Sequence, residues 1–494
     1  MSQIGSYRLV HSAFLSVFRQ EFVLLWRERV LAIVVLLMVL LLSGGLANGL
    51  WQTAERNAML ASLVAKHGES VEDAVAKLET AKTSGVVDAV ASPMTLAQNS
   101  ATQFAILPTL PLAAFALGQS DLLPNHLQLA APSEAEMLYK SDIANPWHLA
   151  NGQFDVAFVV VFLVPLLIVG MSYNILSAER ELGTLRLLLA QPVSLATVIA
   201  GKAAVRAVAF ATPLLTIPFA VLLIDSPVAE VTQRLGTGLL WSALAIAYGL
   251  FWLALAVLVN SVGRSSAFNA LTLVGTWVAF TLLVPVTLNL AVDTLHPALS
   301  RPHMIEMLTE ARDASMRRNA EFDRTNYAAF REPISRDGKF IIQPTTIRYL
   351  NMRQEVSEAI RPWVLQFEAR DAERREFVDA FRILSPAATA HEGMTILGGT
   401  DAGRHSRFRE AAATFYRAEG KRLVPRVMSG VPTSAAEVRA APRFIWVEDP
   451  VQPLARAALS LAQILVPTAL ILLLARFRLR GPRSGTSFRA RGVM

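Results

Sequence analysis

Six long apolar runs punctuate the chain, near residues 30–50, 154–176, 203–224, 238–260, 266–291 and 454–475. A hydrocarbon core of about 30 Å needs roughly 20 residues of helix to cross it, so each run predicts a membrane-spanning helix. A seventh run, Phe104–Gly118, is too short to span and carries Pro108 and Pro111. It predicts an external segment packed on the membrane surface or in a core. Ahead of the first span, Val10, Phe14, Val17, Phe18, Phe22 and Leu25 recur at helical spacing, with His11, Arg19 and Glu21 elsewhere on the wheel. That pattern predicts a cytoplasmic amphipathic helix within 1–29, lying in the interface. The stretches 51–153 and 292–453 are more polar; the first holds a helix ending at a Ser/Gly/Pro break over Thr83–Pro93, and 300–425 keeps helical spacing. The fold class expected is an all-α polytopic membrane protein, with six transmembrane helices and two extracytoplasmic, mainly helical domains.

Composition agrees with that pattern. Of 494 residues, 53% are hydrophobic and 17% charged, and mean hydropathy is +0.41, a balance rare in a soluble chain of this length. The absence of Cys excludes disulfides, thiolate metal sites and a Cys nucleophile. Orientation follows from Lys and Arg in short flanks. Arg8, Arg19, Arg27 and Arg29 precede the first span, Arg180, Arg186 and Lys202 lie between the second and third, and six arginines follow from Arg476 to Arg491. All three groups fall on one side, which predicts cytoplasmic termini in a multi-pass protein of the lipid bilayer. The many charges of the second outer segment nearly cancel, so a net charge of +7 does not argue for nucleic acid as a partner.

The connection between spans two and three, residues 177–202, includes the stretch SAERELGTLRLLLAQPVS. Glu179, Arg180 and Glu181 are expected to project charge into water, Gly183 permits a bend, Thr184 caps a new short helix, and Gln191-Pro192 ends it. The leucine-rich middle exposes more apolar surface than a solvated linker needs, which predicts a contact surface. Glu179, Arg180, Glu181, Gly183, Thr184 and Leu185, followed by Leu188, Pro192 and Lys202, resemble the signature of ABC-2 type permeases, the membrane subunits of ATP-driven exporters. The large outer segments resemble the subgroup described as permeases for multicopper-enzyme maturation. The resemblance implies an ATPase-coupling role for those residues and two copies of the permease, identical or homologous. It also implies a cytoplasmic ABC ATPase that binds ATP and Mg, with no cofactor in this chain, in a bacterial inner membrane.

Other patterns are weaker. Gly201-Lys202 imitates a phosphate-binding loop but has Ala196 and Ala203 where Gly and a hydroxyl are required. LSGGL at Leu42–Leu46 lies inside a span, where Gly45 and Gly49 suit a close helix contact. His303, Met304 and Met307 are candidate copper ligands, but they are too few for a metal site, and the two methionines suit a helix core equally well. No catalytic motif was recognised, so the chain is not expected to be an enzyme. Within the spans, Asn269, Asn289 and Gln463 are candidates to line a path, Asp155 and Arg456 to anchor helix ends, and Pro165, Pro213, Pro218, Pro285 and Pro467 to kink. The function expected is the permease subunit of an ABC exporter. The alternatives are an ATPase-driven mechanotransmitter or assembly factor acting on an envelope partner, and a membrane receptor.

Overall fold

The computed structural model describes residues 2–84, 89–118, 123–129, 134, 137, 154–191, 193–224, 231–325, 335–336, 339–342 and 344–480. Six helices are long and apolar enough to cross a membrane. The amphipathic stretch forms helix α1, Ser2–Arg27. Span 1 begins at Val30 and continues without a break to Ser84, so the membrane helix runs directly into the first outer segment. No Pro or Gly pair interrupts the boundary at Leu50, and the change from apolar to polar residues alters the solvent, not the helical hydrogen bonds. Spans 3, 4 and 6 are Leu195–Ile224, Val231–Ser261 and Val451–Arg480.

Spans 2 and 5 contain π-turns. Span 2 runs through Val156–Phe158, the π-turn Val159–Leu163 and Val164–Ser172. Span 5 runs through Ser266–Val278, the π-turn Ala279–Leu283 and Val284–Leu295. In each, a proline lies two residues beyond the π-turn, Pro165 or Pro285, and removes a backbone donor. The orphaned carbonyls are met by hydroxyls: Tyr248 Oη donates to Val161 O at 3.0 Å, and Ser385 Oγ donates to Phe280 O at 2.7 Å.

Span 4 is the centre of the bundle. Its Trp241, Tyr248 and Trp252 are fully buried, in a core that extends to Val160 and Ile168 of span 2, Phe210 of span 3 and Ile464 of span 6. Two segments from the polar stretches enter the same core. Leu112, Phe115 and Ala116 belong to Phe104–Gly118, which folds as strand β1 (Phe104–Ile106) followed by turns. The expectation that this run packs externally or in a core takes the second form. β1 pairs antiparallel with β2, His126–Gln128. The other intruder is a helix between Pro386 and Gly398, whose Ala390, Met394 and Leu397 pack in the core and whose Gly393 lies against Leu244 and Ser460.

The outer segments share their own cores. Ala105, Leu107, Leu127 and Leu129 pack with Phe408 and Ala412, while Val71, Val75 and Leu78 pack with Leu423 and Val438. The helix Arg301–Thr325 lies on the long helix Pro344–Phe381 around Met304, Trp363 and Phe367.

Candidate functional site

Two short helices follow span 2, α2 (Ser177–Glu181) and α3 (Leu185–Leu189). Gly183 joins them at φ +74°, a left-handed conformation that favours glycine, with open space where a side chain would be. The segment forms a strap across one end of the bundle, beside α1, the start of span 3 and the connection between spans 4 and 5.

All three charged residues of the strap are hydrogen-bonded to the protein; Glu179 and Arg180 are half-buried, which corrects the expectation that they project into water, while Glu181 stays exposed as expected. Glu179 accepts from Lys202 Nζ at 2.9 Å. Lys202 also pairs with Glu21 of α1 at 3.3 Å, and Glu21 pairs with Arg206 of span 3 at 2.7 Å. Arg206 donates in addition to Met171 O at 2.7 Å, tying in the end of span 2. Arg180 donates to the carbonyls of Gly263 and Arg264. Glu181 accepts from the backbone N–H of Ser266 at 2.7 Å and from its hydroxyl at 2.8 Å, holding the first turn of span 5. Thr184 makes no side-chain cap of α3, contrary to expectation; its hydroxyl bonds Glu179.

The strap is therefore braced to α1, span 3 and the entrance of span 5. Glu21, Lys202 and Arg206 are each less than a tenth exposed. Truncating one partner of a buried ion pair typically costs about 3–5 kcal/mol, because the other charge is left uncompensated. This network was missed by sequence reasoning, which placed Glu21 on the polar face of α1. Gly201 has a packing role here, since a side chain at this position would meet Val17 of α1 at 2.7 Å.

The apolar residues of the strap divide. Leu185 points into the bundle core and Leu188 is half-buried, whereas Leu182 and Leu187 are 77% and 73% exposed. The exposed pair, with exposed Arg186 between them in sequence, forms the available surface. Pro192 lies outside the described residues, as do the tail arginines beyond Arg480.

The remaining candidates are dispersed. His303 is exposed beside Glu306 at 3.3 Å, while Met304 is buried and Met307 packs with it against Trp363 and Phe367. The three side chains do not converge, and no group of three or more His, Asp or Glu that could hold a metal occurs among the described residues. Asn269 donates to Tyr173 O and to Asn260 Oδ1, each at 3.2 Å, which makes it an interhelical tie. Asn289 is exposed on span 5, and Gln463 Oε1 is buried without a hydrogen-bond partner among the described residues. Asp155 caps span 2 by accepting from Phe158 N at 2.6 Å and also accepts from Leu117 N at 2.7 Å. Arg456 pairs with Glu392 and Asp401, each at 3.1 Å. Both act as the anchors expected. Gly45 approaches Asp155 O so closely that a side chain would meet it at 2.8 Å, which serves contact with the start of span 2, whereas Gly49 abuts Ala114 O in the turn of the Phe104–Gly118 segment and not another span.

No curated protein matches the chain. A family model described as ABC-2 family transporter protein matches residues 15–480, a range that takes in the second half of α1, all six spans, the strap and the outer segments. The chain thus belongs to the ABC-2 family of transporter proteins.

Proposed function

We propose that this ABC-2 permease subunit exports or extracts its substrate, driven by a cytoplasmic ATPase that binds ATP and Mg and docks on the strap Ser177–Leu189. The observation that carries the reading is the division of the strap: its charges brace three membrane elements while Leu182 and Leu187 stand exposed. A force on those leucines passes through Glu179 and Lys202 to α1 and span 3, and through Glu181 to span 5. In this reading the strap, α1 and the end of span 6 lie on the cytoplasmic side of the inner membrane, with a second permease copy beside them.

Burying a leucine contributes about 1.5–3 kcal/mol, so Leu182→Asp with Leu187→Asp weakens ATPase association by at least about tenfold, one decade being about 1.4 kcal/mol. Co-purification and ATPase titration measure it. Wild-type affinity in a properly inserted double variant removes the strap from coupling.

The continuous helix Val30–Ser84 favours a second reading, in which span 1 moves an outer lever on an envelope partner without transport. ATP-dependent substrate flux in reconstituted vesicles separates the two.

A further inference from the structure

Beyond the bundle, the long helix Pro344–Phe381, here α4, and the helix Ala402–Met428, here α5, stand side by side. Both rise from the end of the bundle opposite the strap. The lower end of α4 is tied to span 5 by Arg374, which donates to His296 O at 2.5 Å and pairs with Asp293 at 2.7 Å. α5 begins at Asp401, paired with Arg456 of span 6. Between the two helices lies a trough of about 920 Å³. From Ile347 to Arg375 it follows α4 for about 40 Å, at about 1.5 Å per residue.

The trough has an apolar floor and a rim of both charges. Ile360, Val364 and Ala413 form part of the floor, and Leu365 and Val424 add exposed apolar surface within it. Arg375 and Lys421 line it without an ion-pair partner among the described residues, as do Glu368 and Glu410, while Arg361 stands near Glu134 and Glu358 accepts from Gln354 Nε2 at 2.9 Å. Arg353 closes across the upper part, donating to Tyr416 Oη at 2.7 Å and lying 4.4 Å from its ring centroid. A side pocket of about 290 Å³ shares Leu350, Arg353, Tyr416 and Val424 with the trough. Below Arg374, Val378, Phe381, Ile383 and Leu384 are exposed where the chain runs on beside span 5 towards Ser385, which bonds Phe280 O in the middle of that span.

We infer that this trough holds a phospholipid monomer, its acyl chains on the apolar floor and its headgroup at the rim. Continuity with the membrane supplies the occupant, since the trough starts beside the outer ends of spans 5 and 6, where lipid is the neighbouring apolar molecule. Length permits it: an acyl chain covers about half of a hydrocarbon core of roughly 30 Å, so the trough is long enough to take the chains and leave room for the headgroup. Charge agrees as well, because unpaired arginine suits the phosphate and unpaired glutamate suits a headgroup amine. The inference concerns binding alone and does not depend on ATP-driven turnover.

The test uses the full chain in liposomes of phosphatidylethanolamine and phosphatidylglycerol, doped with phosphatidylethanolamine carrying a photoreactive acyl chain. Irradiation is expected to label peptides from 347–375 and 406–428 in addition to the spans. Leu365→Asp with Val424→Asp places charge on exposed floor positions and leaves the buried cores intact. That variant is expected to lose trough labelling by at least about tenfold, a decade of affinity, with span labelling unchanged as the control for insertion. Labelling of the spans alone overturns the inference, as does trough labelling that survives both aspartates. Native mass spectrometry of the detergent-purified protein is expected to find retained phospholipid that the variant lacks; a retained polypeptide in its place overturns the assignment.

Discussion

His405 illustrates how one side chain ties stability to pH in this protein. It lies buried on α5 with Nε2 3.1 Å from Pro124 O and its ring beside Phe408. Burial, with Arg409 nearby, lowers its pKa from 6.5 to about 4. The folded form therefore keeps a neutral imidazole while the unfolded chain protonates first. The stabilisation is complete above pH 6.5 and is lost as pH falls toward about 4, a span worth about 3 kcal/mol at 1.36 kcal/mol per unit. Thermal unfolding in detergent is expected to weaken over that window. His405→Gln, which retains a donor for Pro124 O, is expected to flatten this part of the profile; an unchanged slope assigns the effect elsewhere. The strap makes a similar point about context. Glu21, Glu179 and Lys202 read as interface and linker charges, yet they form one buried network because α1 approaches span 3 at Gly201.

Spans 2 and 5 use the same device at the scale of an element. A proline leaves backbone carbonyls without their helical donor, and a π-turn precedes it. In apolar surroundings an unmet carbonyl is costly, which is why Tyr248 and Ser385 reach across from other elements. Tyr248→Phe leaves Val161 O unpaired and is expected to destabilise the bundle by about 1–2 kcal/mol. Pro165→Ala restores an N–H at the correct turn, so the cost of Tyr248→Phe is expected to shrink in that background. Denaturation of the four proteins of this cycle measures the coupling, and strictly additive effects exclude the shared carbonyl as its cause. The prolines are plain in the sequence. Their hydroxyl partners are not, because Ser385 lies 105 residues from Phe280.

For the whole molecule, the sidedness inferred from arginine flanks requires α1, the strap and the end of span 6 to share one face. Glu21 of α1 is joined through Lys202 to Glu179 of the strap, and Arg456 places the start of span 6 at the opposite end. Which face is cytoplasmic is open to labelling, since the chain has no native Cys. Single cysteines at the exposed positions Ala76 and Ala418 are expected to react with an impermeant maleimide in intact cells, and one at exposed Ala190 only after permeabilisation. Reaction of Ala190→Cys in intact cells inverts the assignment.

Segment length and periodicity were sufficient for the six spans, α1 and the helical outer segments, because crossing a membrane and burying one helical stripe are requirements met within a single stretch. The ABC-2 resemblance was legible for a related reason: its motif lies within one short stretch, from Glu179 to Lys202, and the family match extends from it over residues 15–480. Which of those residues face outward was decided only by tertiary structure. Leu185 and Leu187 are equivalent in composition, yet Leu185 enters the bundle core and Leu187 is exposed. The same holds for Pro386–Gly398, whose polar flanks read as part of an outer segment while its small residues fit between spans 4 and 6. Local pattern records how apolar a stretch is; the partner that covers it comes from distant parts of the chain, through contacts that no local period encodes.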